Sequence, residues 1–207
     1  MTTTINASTS AGLVESADTS GQLDLQSNGV TKVSVSSTGV ALTGASMTSF
    51  AGGVITQGTA VASTSGTSID FTSIPSWVKR ITIMLGSIST SGISNLQVQL
   101  GTGSTTYTTT GYSGSCNDGT SVAYFSAGFV FRNSVTAASA HSGMITIVNL
   151  NGNAWVENGV VGTSATNYTD ISGGSVSLAA ALTAVRVTTA NGTDTFDAGT
   201  INILYEG

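Results

Sequence analysis

Short runs in which Ser or Thr alternates with Val, Ile, Leu or Phe recur throughout this 207-residue chain. Alternation with a period of two places the apolar side chains on one face of a β-strand and the hydroxyl side chains on the other. Roughly a third of the residues are Ser or Thr. Only SVSLAAALTAV, residues 175–185, has several helix-favouring alanines, and its flanking Gly and Val favour a strand even there. The sequence therefore predicts an all-β protein.

Residues 58–207 carry the longer apolar runs, both Trp residues and all five Tyr residues of the chain. In the run KRITIML, Ile81, Ile83 and Leu85 share one face, and the run TINILYE near the end has the same pattern. Faces of this kind are buried by packing against a second sheet. We therefore predict that residues 58–207 form an antiparallel β-sandwich with a jelly-roll-like arrangement. The predicted strands are 68–71, 79–85, 95–100, 122–131, 143–150, 154–161, 175–182, 184–189 and 200–206.

Glycine-containing dipeptides separate several of these runs and favour tight turns with positive φ. Pro75 lies just before the run that begins at Lys79, and we expect a bend there because proline cannot donate to a sheet ladder. The spacing of runs and turns is that of a sandwich. The predicted turns are Asp118-Gly119, Asn151-Gly152, Gly173-Gly174 and Asn191-Gly192.

Residues 1–57 have few aromatic side chains and shorter apolar runs. Leu23 and Leu25 share one face, Asn28-Gly29 is a favoured hairpin turn, and the alternation resumes after it. Strands this short cannot bury their apolar faces within one chain of this length. We therefore predict an extended, β-rich N-terminal anchor over residues 1–57 that is stable only against other copies or a larger surface. A flexible junction is expected near Gly52 and Gly53 and the stretch TQGTAVASTSGTS.

Charged residues make up only 7% of the chain, whereas an average protein carries about 25%. A surface this neutral resists aggregation poorly unless other subunits cover much of it, so we expect a permanent assembly. The five Lys and Arg residues are mostly isolated, which argues against a nucleic-acid partner. No apolar stretch approaches the roughly 18 residues that span a bilayer, and MTTTINAS lacks the regions of a signal peptide. We therefore expect that the protein is made in the cytoplasm and does not insert into a membrane.

The single Cys and the single His are both expected in loops. Cys116 lies among turn-forming residues in GYSGSCNDGT, which predicts an ordinary loop thiol that cannot form an intrachain disulfide. His141 comes just before an apolar run and is interpreted as an ordinary residue at the end of a loop. A lone His could ligate a metal on a threefold axis, but the sequence near it offers no second ligand.

The sequence predicts no catalytic residues and no cofactor. There is no G-x-S-x-G motif to supply a nucleophile for His141, and the carboxylates are too scattered to predict the facing pair of a glycosidase. Asp194 and Asp197 could give oxygen ligands to Ca²⁺. The favoured interpretation is that they shape the turn before the last strand by hydrogen-bonding the backbone. We therefore predict no metal site, with these two residues as the weak candidates.

The best candidates for a binding surface are the loops around Tyr107, Tyr112 and Tyr124. Tyr107 and Tyr112 lie in a stretch rich in Thr, Gly and Ser that has no evident role in a core. Tyrosine offers a large contact area at a small entropic cost and stacks on sugars or proteins. An interface between copies is the equal alternative for these rings. Trp77 beside Lys79 and Arg80 could bind an anionic sugar, although a Trp that closes the edge of the core is the favoured interpretation.

Several stretches of the sequence resemble tailed-bacteriophage virion proteins. GLVESADTSGQLDLQSNGVTKVSVSSTGVALTG is similar to the β-rich segment near the N-terminus of many phage fibre and virion proteins. TSIDFTSIPSWVKRITIML, SGISNLQVQLG and VRVTTANGTDTFDAGTINILYEG resemble a domain that recurs in tail-fibre and other virion proteins. The resemblance covers most of the chain but not residues 103–121 and 133–142.

This resemblance implies a homotrimeric virion protein assembled in the host cytoplasm. Residues 1–57 would attach to other virion proteins, and the sandwich would be displayed outward as a knob. One implied role is a fibre-like protein of the tail that binds host surface polysaccharide or an outer-membrane protein. The alternative is a head fibre or a capsid decoration (cement) protein that stabilises the shell. Both alternatives are structural rather than enzymatic.

Overall fold

The computed structural model describes residues 22–37, 39–42, 55–133, 135–137, 139–164 and 168–207. These residues contain sixteen β-strands and no helix, and all the strand pairs are antiparallel. The predicted all-β class is therefore confirmed. The chain divides into two compact units, Met1–Gly52 and Gly53–Gly207.

The described part of the first unit is a three-stranded sheet of β1 (Leu23–Ser27), β2 (Val30–Ser36) and β3 (Gly39–Leu42), in that order. Asn28 and Gly29 connect β1 to β2 with φ angles of 52° and 73°. These angles match the two-residue hairpin turn that the Asn-Gly dipeptide predicts.

The second unit contains the other thirteen strands in two sheets. The large sheet has the order β10-β9-β14-β13-β12-β7-β16-β4, with β5 also paired to β16, and the small sheet has the order β11-β8-β15-β6. The strands are β4 (Ile55–Gln57), β5 (Val61–Ala62), β6 (Ser68–Thr72), β7 (Arg80–Thr90), β8 (Leu96–Gly101), β9 (Ser113–Asn117), β10 (Val122–Phe125), β11 (Phe129–Arg132), β12 (His141–Asn151), β13 (Ala154–Thr163), β14 (Thr169–Ser177), β15 (Ala184–Thr189) and β16 (Phe196–Glu206).

The pairing of the strands is nested. β7 pairs with β16 in the large sheet, β8 with β15 in the small sheet, and β9 with β14 in the large sheet again. A long hairpin that folds from one sheet to the other in this way gives a jelly-roll-like sandwich. The β12–β13 hairpin departs from the simple pattern because it is inserted between β14 and β7.

The apolar faces of both sheets meet in one buried core. Ile81, Ile83 and Leu85 of β7 are buried on the face that the alternation predicts, and Ile201 and Ile203 of β16 are buried beside them. Burying side chains of this size stabilises the fold by about 1.5–3 kcal/mol each.

The start of the second unit differs from the division at residue 57 that the sequence suggests. Gln57, in the strand β4, pairs with Leu204 of β16. Residues 55–57 therefore join the large sheet instead of belonging to the preceding segment.

Three local predictions were wrong for reasons of packing. Residues 122–131 form two strands, because the chain crosses from β10 in the large sheet to β11 in the small one. Gly173-Gly174 is not a turn but the middle of β14, which ends at Ser177 instead of continuing to residue 182. A Cβ on Gly174 would lie 2.8 Å from the ring of Phe125, so this glycine makes room for the aromatic side chain. The strand β9 was not predicted because it has little apolar sequence.

Candidate functional site

Tyr107 lies in the connection between β8 and β9 and covers a charged pair on the small sheet. The guanidinium carbon of Arg186 lies 3.9 Å from the centre of the Tyr107 ring. Arg186 donates two hydrogen bonds to the carboxylate of Asp70, at 2.8 and 2.7 Å. The hydrogen bond to Asp70 raises the pKa of Arg186. The planar guanidinium is therefore held between a bidentate carboxylate and an aromatic face.

A polar groove of about 200 Å³ extends from Arg186 along the small sheet. Gln97, Gln99, Thr188 and Asn191 contribute amide and hydroxyl groups to its wall. The Gln99 amide already donates to the carbonyl of Ala127 and the Thr188 hydroxyl to that of Thr67, and both side chains are largely buried. The groove therefore offers a hydroxyl-rich ligand mainly the second N–H and the oxygen of each amide. We call this feature the polar groove. The sequence indicated Tyr107, but it gave no sign of the residues that line the groove.

Tyr112, the second aromatic candidate, belongs to the core. Its side chain is only 4% exposed, and its ring packs edge-on against Phe129 with the centres 4.8 Å apart. Its hydroxyl accepts a hydrogen bond from the backbone N–H of Leu100 at 2.8 Å. Burial raises the pKa of Tyr112 to about 12. The expectation that this ring has no core role was therefore wrong.

Trp77 remains on the surface just before β7, with 39% of its area exposed. Arg80 forms an ion pair with Glu206 of β16, and the backbone N–H of Lys79 donates to the carbonyl of the same residue. The positive charge of Arg80 is therefore already paired with the carboxylate of Glu206. Trp77 is therefore available for contact.

Asp194 and Asp197 contact different partners near the start of β16. Asp194 accepts hydrogen bonds from the side chain of Asn191 at 2.7 Å and from the N–H of Ser94 at 3.0 Å. These bonds lower the pKa of Asp194. Asp197 accepts a hydrogen bond from the hydroxyl of Ser89. Within the described residues, no group of three or more His, Cys, Asp or Glu side chains is arranged to hold a metal ion.

Cys116 and His141 are both buried, contrary to the prediction of loop positions. Cys116 is in β9, where its thiol donates to Asp170 at 3.4 Å, and burial raises its pKa. His141 is the first residue of β12 and is fully buried. Burial, together with the positive charge of Arg132, lowers its pKa to about 4. A side chain in this position cannot reach a metal shared with another copy.

A buried ion pair links the two sheets. Arg132 of β11 and Asp170 of β14 are almost completely inaccessible and bind each other directly. Asp170 also accepts the backbone N–H of Asn133 at 2.8 Å. Nearby, Glu157 of β13 accepts a hydrogen bond from Ser172 at 2.6 Å, and burial raises its pKa to about 7. The sequence showed no sign that these charges lie inside.

The outer side of the large sheet carries exposed apolar side chains on β10, β12, β13 and β14, and the polar strand β9 lies between β10 and β14. Met144, Val160 and Ile171 face one another across three adjacent strands, and each is about half exposed or more. The acidic residues of these strands, Glu157 and Asp170, are buried instead. We call the outward side of these five strands the neutral face. Its other exposed apolar residues are Val122, Tyr124, Val148 and Leu150.

The three-stranded sheet of the first unit also has an exposed apolar side. Leu23 is opposite Val35, which is opposite Val40 on the third strand. These side chains are 50%, 40% and 67% exposed. We call this side the N-terminal apolar face. Its exposure agrees with the prediction that such short strands cannot bury their own apolar residues.

Comparison of the chain with protein-family models, with curated proteins and with solved structures gave no match. Across the described residues, the structure also contains no helix of the length and apolar character needed to cross a membrane. The case for a function therefore rests on the polar groove, the neutral face and the N-terminal apolar face.

Proposed function

We propose that the chain is a structural, non-enzymatic component of a bacteriophage virion: a homotrimeric, fibre-like protein of the tail with the sandwich displayed as a knob. The exposed N-terminal apolar face is the observation that carries this proposal. Fully burying a large apolar side chain contributes about 1.5–3 kcal/mol, so covering several half-exposed ones on each chain would favour association substantially. Three copies that pack these faces together would supply the cover that one chain lacks.

Two neighbouring residues of β3 provide a matched test. Val40 lies on the apolar face and Ala41 on the opposite side of the same strand, and both are exposed. We expect the wild-type chain to sediment as a trimer at micromolar concentration, Val40→Lys to dissociate, and Ala41→Lys to remain trimeric. A stable wild-type monomer, or equal behaviour of the two variants, would contradict the proposed assembly.

The polar groove supports a role in binding the host surface. Amide and hydroxyl groups beside an aromatic ring and a fixed guanidinium suit a hydroxyl-rich ligand such as surface polysaccharide. Incubating the purified chain with host polysaccharide tests two points in one experiment. We expect the polysaccharide to bind without being cleaved, whereas release of oligosaccharides would overturn the non-enzymatic assignment.

The neutral face favours a second candidate, a head fibre or capsid decoration protein that packs closely on the shell. A surface without ionic groups can be covered over a wide area without removing charges from water. The number of copies per particle separates the two candidates. A tail fibre is present as a few trimers, whereas a decoration protein is present in many copies, so quantitative protein analysis of purified particles decides between them.

A further inference from the structure

We propose that the neutral face is covered, in the assembled protein, by another copy of the same chain. This inference rests on the proposed homotrimer, and it specifies which surface of the second unit the copies share. The proposal follows from the arrangement of the apolar side chains, the position of the charges and the size of the face.

The apolar side chains of the neutral face form a continuous row. Met144 of β12 is paired with Val160 of β13, which is paired with Ile171 of β14. Met84 of β7 extends the row on one side, opposite Met144. Side chains paired across adjacent strands lie about 4.5–5.5 Å apart, so the row is one ridge of methyl and thioether groups. Contiguous exposed ridges of this kind mark interaction surfaces.

The charges of the same strands point away from this surface. Glu157, Asp170 and His141 are the only acidic, basic or imidazole side chains in β9, β10, β12, β13 and β14, and all three are buried. A charged partner would therefore lose its hydration over most of this surface without gaining an opposite charge. At its margin, Arg80 of β7 lies opposite Val148, but its charge is already paired with Glu206. An uncharged partner has no such penalty. The same face of another copy is uncharged.

The size of the neutral face is appropriate for a stable contact. Five strands about 4.8 Å apart cover a width of about 24 Å when half a spacing is added at each edge, and seven to eight residues of about 3.4 Å give a length of about 25 Å. The resulting area of about 600 Å² is close to the roughly 800 Å² that each partner contributes to a standard interface.

The polar groups and the uneven surface of the neutral face favour a specific contact over nonspecific aggregation. A shallow depression of about 560 Å³ beside Ile171 is lined by Ser115, Asn117, Thr169 and Gly173. It can receive side chains of the ridge of another copy. The surrounding hydroxyl and amide groups can hydrogen-bond across the contact, as interfaces of mixed composition do.

Site-directed cross-linking of the full chain tests this inference. Met144→Cys, Val160→Cys and Ile171→Cys are each treated with a short bis-maleimide at micromolar concentration. Ile93→Cys is the matched control, because Ile93 is 74% exposed but lies outside the neutral face, in the connection between β7 and β8. The native Cys116 is buried, so the wild-type chain should stay unlinked. We expect at least one face variant to give a tenfold larger cross-linked fraction than the control.

Sedimentation of the same variants before cross-linking separates this inference from the proposed function. A trimer in which no face position cross-links above the control would overturn the inference while leaving the homotrimer in place. A monomer would overturn the proposed assembly and this inference with it. Equal cross-linking of Ile93→Cys and the face variants would indicate random collision and would also overturn the inference.

Discussion

Two buried side chains are expected to act on the stability of the fold in opposite directions as the pH changes. Glu157 is only 5% exposed, and burial raises its pKa from 4.5 to about 7, although the hydrogen bond from Ser172 acts in the other direction. His141 is fully buried, and burial together with Arg132 lowers its pKa from 6.5 to about 4. Replacing one of the two by a side chain that does not titrate should therefore reveal the pH dependence of the free energy of unfolding that comes from the remaining one.

The sign follows from where each group binds its proton more tightly. For Glu157 the pKa is higher in the folded chain, so its contribution to stability is complete below pH 4.5 and is lost as the pH rises through 7. For His141 the folded pKa is lower, so its contribution is present above pH 6.5 and is lost as the pH falls through 4. Each change of about 2.5 in pKa corresponds to about 3 kcal/mol.

Between pH 4.5 and 6.5 the two slopes nearly cancel in the wild-type chain. We expect Glu157→Gln, which keeps the shape of the side chain, to gain about 3 kcal/mol relative to wild type between pH 4.5 and 8. His141→Leu should gain a similar amount relative to wild type as the pH falls from 6.5 to 4. Differences between variant and wild type remove the contributions of all the other titrating groups.

Urea unfolding at one fixed protein concentration measures these differences, since association also contributes to the apparent stability. The free energy of unfolding of the three proteins is determined at half-unit steps of pH. If the difference between Glu157→Gln and wild type does not change from pH 4.5 to 8, the reasoning from burial is refuted for Glu157. The same comparison between pH 4 and 6.5 tests His141 independently.

Two other substitutions test how much buried polar contacts contribute to stability, by the same unfolding assay. Arg132→Met leaves the carboxylate of Asp170 buried beside an apolar side chain, so we expect a loss of about 3–5 kcal/mol; the double variant with Asp170→Asn should recover most of it. A single variant as stable as wild type would contradict this. Tyr112→Phe removes the acceptor of the buried N–H of Leu100 and should cost about 1–3 kcal/mol, and an unchanged stability would show that this hydrogen bond is dispensable.

The strand pattern of the chain could be predicted where one face of a strand is apolar. The run AVRVTT is a strand at its predicted positions, 184–189, and the buried side of β7 is the one with Ile81, Ile83 and Leu85. Asn28-Gly29 forms the predicted hairpin turn because its two residues adopt positive φ at small cost. All of these features depend on residues that are neighbours in the sequence.

The features that escaped prediction depend on residues distant in the sequence. Tyr107 was indicated by its type, but Asp70 and Arg186 are 116 positions apart and meet only because β6 and β15 pair. Cys116 looked like a loop residue because the glycine and serine residues around it resemble a turn. In the structure, Gly114 of the same strand leaves room for Phe125, since a Cβ there would lie 2.5 Å from the Phe125 ring.

The orientation of the charged side chains of β13 and β14 helps to explain why the chain contains so few charged residues. A carboxylate normally faces water, because burying it costs several kcal/mol even when it is paired. In these strands Glu157 and Asp170 face the core, while Val160 and Ile171 face outward. In a soluble monomer we would expect the opposite arrangement, with the carboxylates facing water and the apolar side chains facing the core. An outward surface kept free of charge at this cost is consistent with our proposal that another copy covers it, since a charge there would have to be desolvated at the contact.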